Sequence, residues 1–137
     1  MKNLILSISF CYHDSSVTFS TKKEILLHIE VEKFYNQKHK RFKNVSEVEE
    51  VVSQGLKELG LSIDDISEVL VTKWNNLYDG TDVTILGRRF NAILTGHHEN
   101  HIGTAIPSNY KKCVILCSDG GSEDGYTKLY YKNGKKI

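Results

Sequence analysis

The sequence has no apolar run near the roughly 18 residues a membrane span needs. It also lacks a surplus of either charge, and it has little cysteine. The first absence leaves no candidate for a membrane-crossing helix. Eighteen basic against seventeen acidic residues give a formal charge of +1. Nothing in that balance argues for wholesale nucleic-acid binding. Cys11, Cys113 and Cys117 form an odd set, two of them in apolar strands, and read as reduced, partly buried thiols of a cytoplasmic protein. A Cys113/Cys117 metal pair is disfavoured, because strand residues four apart are separated by about 13 Å at 3.3 Å per residue. Met1-Lys2-Asn3-Leu4 runs directly into an alternating segment, without the long apolar centre of a secretion signal.

At 137 residues and 39% hydrophobic, the chain reads as one globular domain with enough material for a core. Leu4, Leu6, Ile8 and Phe10 alternate with Ile5, Ser7 and Ser9, the period-2 signature of a strand with one buried face. Ser16 to Ser20 forms a second strand with Val17 and Phe19 on one side, and Ile25, Leu27, Ile29 and Val31 a third. Two successive turns make these an antiparallel meander. The period then changes. Ser46 and Glu49 match a capping box; Val48, Val51, Val52, Leu56 and Leu59 follow at helical spacing, and Gly60 is a natural stop. The strand Glu68–Val71, reached by this crossover, is expected to pair in parallel. Asp79-Gly80 marks a turn, and Val83 to Leu86 is a candidate strand. A helix is expected from His98 to about Ala105, before Pro107. Val114 to Cys117 reads as a buried strand, and Tyr126 to Lys132 as an exposed one rich in aromatics. Asn133-Gly134 is a preferred type I′ hairpin turn with only three residues after it, so the chain reads as a piece of something larger or as a sheet completed by another chain.

The chemistry concentrates in Gly96-His97-His98-Glu99-Asn100-His101. On a helix, His97 and His101 lie one turn apart on one face and can offer two nitrogens to one metal ion. His98 points about 100° away from His97, as a supporting or surface group. Cys117-Ser118-Asp119-Gly120-Gly121 follows an apolar strand. Its glycines let backbone approach a phosphate, and the Asp119 carboxylate can ligate a cation. A lone His-x-x-x-His pair is more often an ordinary surface pair. The third imidazole and the downstream acidic glycine turn reverse that weighting. Lys38-His39-Lys40-Arg41 could attract a phosphate, although a basic loop before a helix is usually just solvated. His13-Asp14 is by composition a turn.

Several of these motifs resemble the N-terminal region of carbamoyltransferases of the nodulation and antibiotic-tailoring type. Ile8-Ser9-Phe10-Cys11-Tyr12-His13-Asp14-Ser15-Ser16 is similar to that family's opening strand and His-Asp-Ser turn. The segment Glu30 to His39 is similar to its Glu-Glu-Arg-Phe-x-Arg-x-Lys-His stretch, and His97–His101 with Asp119-Gly120-Gly121 to its metal helix and acidic glycine loop. The resemblance implies an α/β fold of the actin-like ATPase, ribonuclease H-like kind: a mixed five-stranded sheet that starts with the meander, with helices packed on it. It implies O-carbamoyl transfer from carbamoyl phosphate and ATP through a carbamoyl-adenylate, with an iron-type divalent metal (Fe, Zn or Mn). His97, His101 and Asp119 would be ligands, His13 would act near the carbamoyl group, and Gly120, Gly121, Lys38 and His39 would meet phosphate. The sequence departs from the family where Lys33 and Asn36 replace arginines, which removes a fixed guanidinium fork. The family's second lobe has no counterpart in these 137 residues. The expected partner is therefore a second-lobe polypeptide, without which half a cleft is inactive, or another copy of the chain in a homodimer. A tRNA threonylcarbamoyl transferase-like lobe and a non-catalytic binding module that dimerises through the C-terminal hairpin are the rival readings.

Overall fold

The computed structural model describes residues 3–10, 15–73, 76–78, 80–102, 110–119 and 125–134. The chain divides into two compact units, 1–94 and 95–137. The first is built on the expected meander: β1 (Leu4–Ser9), β2 (Ser16–Ser20) and β3 (Ile25–Glu30) pair antiparallel in sequence order. A short α1 (Val31–Phe34) and the long α2 (Val45–Leu59) cross over to β4 (Ile66–Thr72), which lies parallel to β1 with Leu6 opposite Val69 and Ile8 opposite Val71. β7 (Ile93–Thr95) completes a five-stranded mixed sheet of order β3-β2-β1-β4-β7. The sheet is thus mixed: β2 and β3 return antiparallel, whereas the helical crossover through α2 returns β4 parallel.

Alternation decides the core. Leu4, Leu6 and Ile8 from β1, Val17 and Phe19 from β2, and Val69 and Val71 from β4 are all buried. Val48, Val51, Val52 and Leu56 of α2 join the same cluster. Each such side chain contributes about 1.5–3 kcal/mol through removal from water. α2 stops at Gly60, whose φ of 63° is the left-handed cap conformation, and the Gly60 N–H donates to the carbonyls of Leu56 and Lys57.

Four local expectations are corrected. α2 is capped by Asn44, not by Ser46: the Asn44 side chain accepts the Glu47 N–H at 2.9 Å. The Glu47 carboxylate in turn accepts the Lys43 N–H at 2.7 Å. Both asparagine and serine suit a cap; the choice fell to the residue whose third follower also reaches back. Glu49, freed from capping, accepts the Leu86 N–H at 2.7 Å instead. Second, the alternation expected along β3 fails at both ends. Leu26 is passed over where Phe19 pairs with Leu27 and Ser20 with Ile25, a bulge that leaves Ile25 70% exposed, and Val31 begins α1.

Third, residues 82–91 form a hairpin, β5 (Asp82–Ile85) against β6 (Arg88–Asn91), of which only the first strand was legible. Its two-residue loop, Leu86-Gly87, has positive φ at both positions, the type I′ pattern. Leucine disguised the turn, since asparagine or glycine is usual there. Finally, Val114 to Cys117 is not a fully buried strand. It lies in β8 (Lys112–Ser118), which pairs antiparallel with β9 (Thr127–Asn133) as a separate two-stranded sheet. A strand with one partner and one covered face leaves Val114 and Leu116 exposed while Cys117 is buried. The second unit also contains α3 (His97–Ile102), one residue earlier in its start than expected. Pro107, Asp79 and the turn at His13-Asp14 lie outside the described residues. Among the described residues, no helix is long and apolar enough to cross a membrane.

Candidate metal centre

Three side chains of the second unit converge at the mouth of α3. His97 and His101 fall one helical turn apart on one face, as i and i+4 must. Their rings stand perpendicular with centroids 4.6 Å apart. The two Nε2 atoms are separated by 3.1 Å, and His101 Nε2 lies 3.1 Å from Asp119 Oδ2. His97 Nε2 meets the same carboxylate oxygen. One donor atom from each residue therefore lies within 4.8 Å of the other two. Ligands held at about 2.0–2.2 Å around one first-row ion are themselves roughly 3 Å apart, so this spacing fits a shared cation.

Exposure grades across the cluster. The side chain is 13% exposed at His97, 36% at Asp119 and 54% at His101. A cation held there would be walled on the His97 side and open on the His101 side. A cleft of about 340 Å³ adjoins that open side, lined by His101, Ile102, Cys117 and Asp119 among others. This volume is at the lower end of small-ligand sites. Two imidazole nitrogens and one carboxylate oxygen form a borderline donor set with open positions, a composition suited to several first-row ions.

Local structure explains the placement. Asp119 immediately follows β8, and its N–H donates to the Tyr126 carbonyl at 2.9 Å, extending the β8–β9 ladder by one rung. Ser118 and Thr127 side-chain oxygens face each other at 3.2 Å across the neighbouring rung. α3 is fixed to β8 on its other side, where the Cys117 thiol donates to the His98 carbonyl at 3.9 Å. Burial raises the Cys117 thiol above its usual range and the Asp119 charge raises it further, which keeps it a protonated donor. His98 is buried, so of its two expected placements the surface one is excluded. Sequence reasoning overlooked Glu99, whose carboxylate accepts the Gly96 N–H at 2.7 Å. The available signal was an acidic residue at the third position of a helix that opens after glycine.

The remaining candidates fall elsewhere. Lys38 and His39 belong to the first unit and are both exposed, His39 with a φ of 58° and its N–H donated to Glu32 at 3.0 Å. Lys40, their neighbour in the basic run, is buried: its ammonium pairs with Glu47 and sits 4.8 Å above the Tyr35 ring. That cation is committed to holding α2, which narrows the basic run to its exposed members. His13, Gly120 and Gly121 lie outside the described residues.

Residues 4–84 match the family model described as Carbamoyltransferase N-terminus. No curated protein matches the chain. The matched residues cover the meander, α2, β4 and most of β5, and end before His97, His101 and Asp119.

Proposed function

The chain belongs to the carbamoyltransferase N-terminal family, and from that membership we propose that it carries half of a metal and nucleotide site for carbamoyl transfer through a carbamoyl-adenylate. The convergence of His97 Nε2, His101 Nε2 and Asp119 Oδ2 is the observation that carries this reading. It lies beyond the matched residues, so it is independent of them. The sheet, with three antiparallel strands followed by a parallel fourth, is read as the first lobe of the actin-like ATPase fold.

A divalent ion of the iron, zinc or manganese kind would supply Lewis-acid polarisation of a phosphoryl or carbonyl oxygen. His97 and His101 would hold it by their Nε2 atoms, and Asp119 would offset part of its charge. His13 is assigned to the carbamoyl group. Backbone N–H groups at Gly120 and Gly121 would meet phosphate oxygens. Lys38 and His39, exposed on the first unit, are separately assigned to a phosphate of ATP or carbamoyl phosphate. A facing wall is needed to exclude water, because electrostatic stabilisation is weak on an open, high-dielectric shelf. The complementary lobe is the proposed partner. The exposed Val114, Leu116, Leu129 and Tyr131, which share one face of the β8–β9 hairpin, support a partner surface, since a two-stranded sheet is marginal on its own. The free thiols of Cys113 and Cys117 agree with a reducing, cytoplasmic setting.

The test is metal retention with a nucleotide readout. The purified chain is stripped with chelator, dialysed against Fe²⁺, Zn²⁺ or Mn²⁺, and its metal content measured alongside fluorescent-ATP binding. About one ion per chain is expected, with loss in His97→Ala and tighter ATP binding when metal is present. Equal metal content in the wild type and His97→Ala would overturn the reading.

A further inference from the structure

The two histidines can chelate only while α3 keeps its first turn, and the described part of α3 is six residues long. Helices this short do not hold themselves in water, because nucleation costs more than the few bonds return. What fixes the ends of α3 therefore decides whether His97 and His101 face one point. Ile102 anchors the C-terminal end by its burial, and His98, in the first turn, is held by its own burial and by the Cys117 contact to its carbonyl. The start of the helix, where His97 sits, has a further tether. Gly96 precedes the helix and carries no side chain that could accept from first-turn N–H groups. The Glu99 carboxylate reaches back instead and accepts the Gly96 N–H at 2.7 Å, while the Asn100 N–H closes the turn onto the Gly96 carbonyl at 3.1 Å.

We infer that Glu99 is a positioning residue for the metal centre: through its hydrogen bond to Gly96 it holds His97 in the phase that lets both imidazoles meet Asp119. The inference rests on the proposed function in taking His97, His101 and Asp119 as ligands. Asp119 is set independently by its rung to Tyr126. Loss of the Glu99 tether would thus release one side of the chelate and leave the other in place. Glu99 is exposed and lies off the face shared by the two histidines, so its role does not require it to touch the ion. Its charge at the helix start also complements the macrodipole, a smaller effect that water screens.

The experiment titrates the 137-residue chain with Zn²⁺ by calorimetry and with Co²⁺ by visible absorption. It compares the wild type with Glu99→Ala, Glu99→Gln and Glu99→Asp. Glutamine keeps an acceptor of the same reach without the charge; aspartate keeps the charge on a shorter arm. Glu99→Ala and Glu99→Asp should bind about tenfold more weakly, and Glu99→Gln within about threefold of wild type. The Co²⁺ bands should broaden in the first two only. Wild-type affinity in both Glu99→Ala and Glu99→Asp overturns the inference, as does Glu99→Gln binding as weakly as Glu99→Ala. Glutamine and aspartate still decide the matter if the alanine variant fails to fold. Absence of metal binding by the wild type removes the centre itself, a failure of the proposed function distinct from these.

Discussion

Gly55 of α2 rests against the ring of Phe19 on β2 with no room for a methyl group between them. A Cβ at position 55 would come within 2.8 Å of Phe19 Cζ and 3.2 Å of Ile29 Cδ1. Phe19 is fully buried, so its ring has nowhere to retreat. Helix propensity favours alanine over glycine by about 1 kcal/mol, whereas overpacking a closed core costs about 1–3 kcal/mol. Gly55→Ala should therefore lower stability despite its better propensity. Urea denaturation checks this, and a rise in midpoint would show that α2 can lift from the sheet at little cost.

The start of α2 gives a sharp contrast between neighbours. Asn44 supplies the cap that accepts the Glu47 N–H, while Ser46 lies inside the helix. Asn44→Ala should cost about 1 kcal/mol. Ser46→Ala should change stability by less than about 0.5 kcal/mol, as an exchange at a helix position without a capping bond. Thermal melts of the two variants provide the comparison; the reverse order would return the cap to Ser46.

Leu86 has a φ of 49° at the first position of the Leu86-Gly87 turn. An L-residue with a branched side chain is strained there by about 1–2 kcal/mol. Leu86→Asn, which tolerates the left-handed region, should raise stability by about 0.5–1 kcal/mol while the backbone N–H keeps its bond to Glu49. An unchanged or lower denaturation midpoint would mean that the leucine side chain contributes more by packing than the turn loses by strain.

Glu47 sets an acid limit on the first unit. Partial burial opposes its ionisation, but the Lys40 ammonium, the Lys43 N–H and the charges of both lysines outweigh that, and the carboxyl is held below its ordinary value of 4.5. A group lowered in the folded state contributes stability that is fully present above its unfolded value and is lost as pH falls through the folded one. Stability should thus decline as pH drops below about 4.5. Glu47→Gln should be less stable than wild type at pH 7 and show a shallower acid decline. Parallel pH profiles for the two proteins would remove Glu47 from the account.

The sequence by itself determined the meander, the crossover helix and the parallel fourth strand. Period-2 and period-3.6 patterns report which face of an element meets the core, and tight turns or crossovers dictate strand direction. It also placed His97 and His101 one turn apart, because i and i+4 spacing is local geometry. Only the tertiary structure decided what depends on a neighbour remote in sequence: that Gly55 is required by Phe19, that Lys40 is withdrawn from its basic run by Glu47, and that β8 has one covered face instead of two. The meeting of Asp119 with the two imidazoles is of this second kind. Residue types at positions 97, 101 and 119 offered the donors, but bringing them within bonding reach of one point took the packing of α3 on the β8–β9 hairpin, an arrangement of interacting surfaces that no local pattern encodes.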